Sequence, residues 1–174
     1  MREIKFRGYD LDNKRWYYGG YHKHITQTPC MFTCESECQE WYKEHTKHFI
    51  IIDGFSDWWM ERGVQVVDNV DLKSVGQFTG LKDKSGKEIY EGDILKIQIE
   101  NTLCERKLLC KYGKFQKKII AIDGERHLAE IVGFYFVSDT FDILLPIVKD
   151  KISDTTKMTI IGNVYENPDL IEVR

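Results

Sequence analysis

Lys82-Asp83-Lys84-Ser85-Gly86-Lys87-Glu88 reads as a polar turn and Glu91-Gly92-Asp93 as a second, and together they frame Ile94-Leu95-Lys96-Ile97-Gln98-Ile99 as a strand. Strands of the same kind follow at short spacing. Leu108-Leu109-Cys110-Lys111-Tyr112 leads through Gly113-Lys114 into Phe115, and residues 119–122 meet Asp123-Gly124, a two-residue hairpin signal, with residues 131–137 after it. Residues 158–165 form a last strand, which Asn167-Pro168 stops before residues 169–173. Many short strands with close turns predict a mainly β fold whose sheets are partly closed and barrel-like.

Toward the amino terminus, residues 4–9 and 15–21 are short aromatic-rich runs separated by Asp10-Leu11-Asp12-Asn13-Lys14, which predicts a hairpin. From residue 33 to 49 the period changes. Cys34, Cys38, Trp41, His45 and His48 fall at alternating steps of four and three, the stripe of the only substantial helix. Phe49-Ile50-Ile51-Ile52 before Asp53-Gly54, and Gly63-Val64-Gln65-Val66-Val67, are further strands. Trp58 and Trp59 between them are adjacent, so an extended chain would point them opposite ways. The gap from Val67 to Gly76 is the candidate boundary between a β-rich region with one helix over residues 1–70 and a second domain over 71–174. No internal repeat or low-complexity segment interrupts either.

Composition excludes several classes. The 174 residues are 42% hydrophobic and 30% charged, with 25 Lys+Arg against 28 Asp+Glu, an ordinary globular balance. A net charge of -3 is too small to steer nucleic acid or an anionic membrane at long range. Met1-Arg2-Glu3-Ile4-Lys5-Phe6-Arg7 lacks the apolar core of a secretory signal, and no apolar run nears the roughly eighteen residues a bilayer demands. A cytoplasmic protein is expected. Its five cysteines, Cys30, Cys34, Cys38, Cys104 and Cys110, are an odd set expected to stay reduced.

Three segments in order carry a family pattern: Met1-Arg2-Glu3-Ile4-Lys5-Phe6-Arg7; Gly76-Gln77-Phe78-Thr79-Gly80-Leu81-Lys82-Asp83-Lys84-Ser85-Gly86-Lys87-Glu88-Ile89-Tyr90-Glu91-Gly92-Asp93-Ile94; and Ile160-Ile161-Gly162-Asn163-Val164-Tyr165-Glu166-Asn167-Pro168-Asp169-Leu170. In these the chain resembles the YopX-like proteins of phages and prophages, while residues 22–70 and 100–157 look like divergent connections. The resemblance implies a mainly β protein whose carboxyl-terminal half, with the amino-terminal hairpin packed on it, is an SH3-type β-barrel domain in the cytoplasm of a host bacterium. It implies no established activity and hands over no catalytic residue. Gly76, Gly80, Gly86, Gly92 and Gly162 within these segments suit positive φ or close backbone approach. Asp83, Glu88, Glu91 and Asp93 alternate with lysines and lack the positions of a calcium loop, so they read as solvated turn charges.

Two other segments carry candidate chemistry. His22, His24, Cys30, Cys34, Cys38, His45 and His48 crowd one stretch, and Cys30, Cys34, Cys38, His45 and His48 form a candidate metal set. Their C-x3-C-x3-C spacing is no standard zinc motif, and it misses the C-x3-C-x2-C of iron-sulfur enzymes by one residue. Cys34, Cys38 and Trp41 read more simply as the buried stripe of an amphipathic helix, and no cofactor is expected. Residues 106–118 hold six basic side chains and no acidic one. Arg106, Lys107, Lys111, Tyr112, Lys114, Phe115, Lys117 and Lys118 form a candidate nucleic-acid surface in which lysines hold phosphates and the two aromatics stack bases. The plainer reading is an exposed edge lined with lysine against aggregation.

Enzymatic signatures are missing: there is no G-x-G-x-x-G, phosphate-binding loop, H-E-x-x-H or G-x-S-x-G, and His127 beside Arg126 reads as a surface strand residue. The sequence therefore predicts a non-catalytic, phage-encoded accessory protein, a protein-interaction or assembly module binding a host or phage protein or its own copies. Exposed aromatics such as Trp58 or Trp59 would serve it. The alternative is a nucleic-acid-binding small barrel.

Overall fold

A computed structural model describes residues 3–28, 31–32, 34–55, 62–98, 104–120, 124–138, 142–149 and 152–171. Two compact units emerge, Met1–Gln77 and Phe78–Arg174.

In the first unit, β1 (Phe6–Asp10) and β2 (Arg15–Ile25) form the expected hairpin, pairing from Phe6↔Gly19 to Asp10↔Arg15. Its turn is held by the buried Asp10 carboxylate, which accepts the Asp12 amide at 3.0 Å and the Asn13 side-chain amide at 2.6 Å. After helix α1 (Glu35–His45), β3 (Thr46–Phe55), β4 (Arg62–Val67) and the first part of β5 (Val70–Lys82) complete a sheet ordered β4-β3-β2-β1-β5. Ile50, Val67 and Val70 are its buried centre, with Phe6, Tyr17 and Tyr21 packed against them.

Two expectations fail here. The helix ends at His45 rather than near residue 49, because β-branched Thr46 begins a strand that pairs with Ile25 on β2. No residue of α1 is buried, so Cys34, Cys38 and Trp41 are not a core stripe. Trp41 packs locally instead, its ring 5.8 Å from Phe32 and stacked at 4.3 Å on His45. Within the expected boundary stretch, β4 ends at Val67 and β5 starts at Val70 and runs past Gln77, the last residue of the first unit. Trp58 and Trp59 lie outside the described residues.

The second unit opens with the end of β5 paired to β6 (Glu88–Tyr90). β7 (Asp93–Gln98), β8 (Glu105–Ile120), β9 (Arg126–Ser138), β10 (Ile143–Leu144) and β13 (Met158–Asn163) then form a sheet ordered β10-β9-β8-β7-β13, and β11 (Val148–Lys149) pairs with β12 (Ile152–Ser153). Both faces of its middle are covered. Leu95, Leu108, Cys110, Phe136, Ile89 and Met158 form one apolar layer, and Ile94, Leu109 and Ile171 the other. Consecutive buried residues on one strand follow from this double cover, because neighbours on a strand point to opposite faces.

The described strands make antiparallel sheets rather than a closed barrel. β8 and β9 outrun their neighbours: β7 pairs only with Glu105 to Leu109, and β10 only with Phe136 and Val137. Past those ladders the two strands continue together as a two-stranded arm, from Lys111↔Tyr135 to Ile120↔Arg126. Ten residues per strand at about 3.4 Å each make it roughly 30 Å long.

Of the four turn carboxylates, Glu88 and Glu91 are half-buried, whereas Asp83 and Asp93 are not solvated charges at all. Asp83 is 3% exposed and Asp93 1%. Asp83 Oδ1 accepts the Ser85 amide at 2.8 Å, the Ser85 hydroxyl at 2.7 Å and the Lys87 amide at 2.9 Å, while Oδ2 accepts the Ile160 amide of β13 at 3.1 Å. Asp93 likewise accepts the Tyr90 amide at 2.8 Å. Turn amides taken out of water need acceptors, and a carboxylate supplies several at once. Gly86 and Gly92 take positive φ within these turns. Gly162 serves close approach instead, because a Cβ there would lie 2.5 Å from Asn167 Oδ1.

Burial alone would raise the Asp83 pKa, but the Ser85 hydroxyl and the Ile160, Lys87 and Ser85 amides outweigh it and hold the carboxyl below its ordinary value. A folded pKa below the unfolded one makes the contribution complete above about pH 4 and lost as pH falls through the folded value. Asp83→Ala is expected to lower unfolding free energy by about 2–4 kcal/mol at pH 7 in denaturant titration. Asp83→Asn should flatten the acid limb of a stability–pH profile below about pH 4, leaving the share that Asp10 contributes in the same direction.

Candidate functional site

Strand alternation divides the arm into two faces. Tyr112, Lys114, Gln116 and Lys118 of β8 share one with Phe134, Val132, Glu130 and Leu128, their partners on β9. This face is open: Tyr112 is 47% exposed, Leu128 62% and Val132 64%. Tyr112 meets Phe134 edge-to-face at 5.0 Å, and Lys114 Nζ lies 2.5 Å from Glu130 Oε1. The opposite face carries Lys111, Gly113, Phe115 and Lys117 beside Tyr135, Gly133, Ile131 and Ala129, all buried or half-buried. The two strands meet there in a glycine pair, Gly113↔Gly133, and the Tyr135 ring lies 3.8 Å from the position a Gly113 Cβ would take.

The candidate nucleic-acid set is therefore split. Tyr112, Lys114 and Lys118 stand together on the open face, whereas Lys111 and Lys117 belong to the other. Phe115 is no stacking platform, being 6% exposed with its ring 4.7 Å from Tyr135. Arg106 lies 3.7 Å from Asp142, and Lys107 pairs with Lys96, which is bridged to Glu105 at 2.8 Å. What the sequence reading missed is β9's share of the open face. Its signal was the set Arg126, Leu128, Glu130 and Val132 at every second position, which the β8–β9 pairing places on one face. His127 is exposed, 3.9 Å from Glu125, as a surface residue should be.

The candidate metal set does not converge among the described residues, where no three His, Cys, Asp or Glu side chains group to hold an ion. Cys30 lies outside those residues. Cys34 Sγ sits 3.0 Å from the Ser36 hydroxyl, and Cys38 is half-buried one helical turn on. His45 Nδ1 is 2.9 Å from the Trp41 carbonyl. His48 is on β3, its Nδ1 2.7 Å from the Tyr21 hydroxyl and its ring stacked on Tyr21 at 5.9 Å. Burial, then the Lys23 charge, push the His48 imidazole below its usual value, and burial pushes the Tyr21 phenol up. His48 also lines a pocket of about 390 Å³ together with Asp12, Thr46, Lys47, Asp68, Asn69 and Val70. Asp12 there is engaged by the Asn69 amide at 2.7 Å. Among the described residues no helix is long and apolar enough to cross a membrane.

Comparison with known proteins adds three findings. The family model described as YopX protein matches residues 5–172. Among solved structures, the crystal structure of protein EF1440 from Enterococcus faecalis is similar at 21% sequence identity and a TM-score of 0.41, covering 99% of this chain and 100% of that one. No curated protein matches.

The division of faces is measurable by stability. Phe115→Ala should cost about 3 kcal/mol in denaturant titration as a buried ring is lost, whereas Lys114→Ala, at an exposed ion pair, should cost under about 0.5 kcal/mol.

Proposed function

The chain belongs to the YopX protein family, and on that premise we propose that it is a non-catalytic binding module whose working surface is the open face of the β8–β9 arm. The observation carrying this reading is the line Tyr112, Val132 and Leu128, three large side chains exposed on an arm whose base is packed on both faces. Exposed apolar residues set together among charged ones suit a protein partner. The non-catalytic part rests on Asp83 and Asp93, whose oxygens hold turn amides. The phage and host-cytoplasm setting, and an SH3-type curl of the second unit, come from the family resemblance. Register shifts between Phe78 and Lys82 and between Ile160 and Gly162 support the curl, since bulges bend sheets toward closure.

Affinity capture from the host bacterium with the tagged chain should enrich a defined partner that a Leu128→Asp/Val132→Asp variant fails to hold, while both chains unfold at the same temperature. Equal capture by the two would overturn the arm as the working surface. A nucleic-acid reading draws on Lys114, Lys118 and Tyr112 sharing that face, because a two-stranded ribbon can enter a DNA groove. It requires low-salt retention on DNA or RNA that disappears in the Lys111/Lys114/Lys117/Lys118 quadruple alanine variant.

A further inference from the structure

The two outer edges of the arm differ in chemistry. Along β8 the edge carries Lys111, Lys114, Lys117 and Lys118, the side chains that discourage strand addition. Along β9, Leu128-Ala129-Glu130-Ile131-Val132-Gly133 has no lysine and no proline, and no strand pairs with its outer side among the described residues. Such an edge accepts another strand.

The charges name which strand. Arg126 and Glu130 flank Leu128 at equal distance on the open face. If a second β9 lies antiparallel about a twofold axis through Leu128, Arg126 of each copy falls opposite Glu130 of the other, and Leu128 falls on Leu128. Two opposite-charge pairs then bracket one apolar pair, and Glu130 keeps Lys114 on its inner side. Twofold, self-complementary contacts of this kind are the commonest in symmetric oligomers.

We propose that the partner seated on the β9 edge is a second copy of this chain, paired antiparallel about Leu128 to make a continuous β8-β9-β9-β8 sheet. The proposal rests on the arm being the working surface and goes beyond it in naming the occupant.

Sedimentation equilibrium and position-specific cross-linking test it. The full chain should sediment at twice its monomer mass at high micromolar concentration. With Cys30, Cys34, Cys38 and Cys104 changed to serine, Leu128→Cys should form a disulfide-linked dimer under mild oxidation, because opposed residues of antiparallel strands sit about 4.5–5.5 Å apart at Cα, within disulfide reach. Gln116→Cys, on the same face but on β8, should stay monomeric. Arg126→Glu should weaken association at least about tenfold, and adding Glu130→Arg with Lys114→Glu should restore it. Thermal unfolding checks that each variant is folded. A monomer at every concentration, or cross-linking at position 116 as fast as at 128, overturns the proposal. A monomer that still captures a host partner through Leu128 and Val132 leaves the arm as the working surface and removes only the second copy.

Discussion

A single buried carboxylate organises the second unit. Asp83 can stay ionised out of water because two turn amides, a serine hydroxyl and the Ile160 amide of β13 surround it. It fixes the turn before β6 and ties that turn to a strand some eighty residues later, a link the Lys84 amide repeats by donating to the Met158 carbonyl at 2.8 Å. The last family segment uses the same device. The Asn163 side-chain oxygen accepts the Tyr165 and Glu166 amides at 3.0 and 2.8 Å, and its amide donates to Glu166 at 2.6 Å. Residue identity in these segments is thus dictated by acceptor geometry in tight turns.

From those turns the apolar layers follow. With the start of β7 and the end of β13 fixed, Ile94 and Leu95 point to opposite faces and each meets its own cluster. The same arrangement explains the arm. The layers cover only the part of β8 and β9 that β7 and β10 border, so the rest of the hairpin continues without that double cover.

Much of this architecture was legible in the sequence because local rules govern it. The Asp10–Lys14 turn, the Ile94 strand and the mainly β class rest on turn chemistry and alternation. Three features were not legible. The sequence rhythm carries the helix to residue 49 because His48 continues the step of three, while pairing of β3 with β2 decides the matter at Thr46. Asp83 looked solvated because its lysine neighbours are exposed; the Ile160 amide that completes its shell is distant in sequence. The lysines of residues 106–118 read as one patch because composition carries no facing. Register with β9 alone divides Lys114 and Lys118 from Lys111 and Lys117, and that register also brought in Leu128 and Val132.

The Gly113↔Gly133 pair gives the arm a mechanical character of its own. Where every other rung of the ladder is braced by at least one side chain, this rung has none, and only the Tyr135 ring leans toward it. The backbone ladder alone holds that rung, and two residues further out the ribbon is packed again, with Phe115 buried and its ring 4.7 Å from Tyr135. The arm thereby carries one bare rung between two stretches braced by side chains.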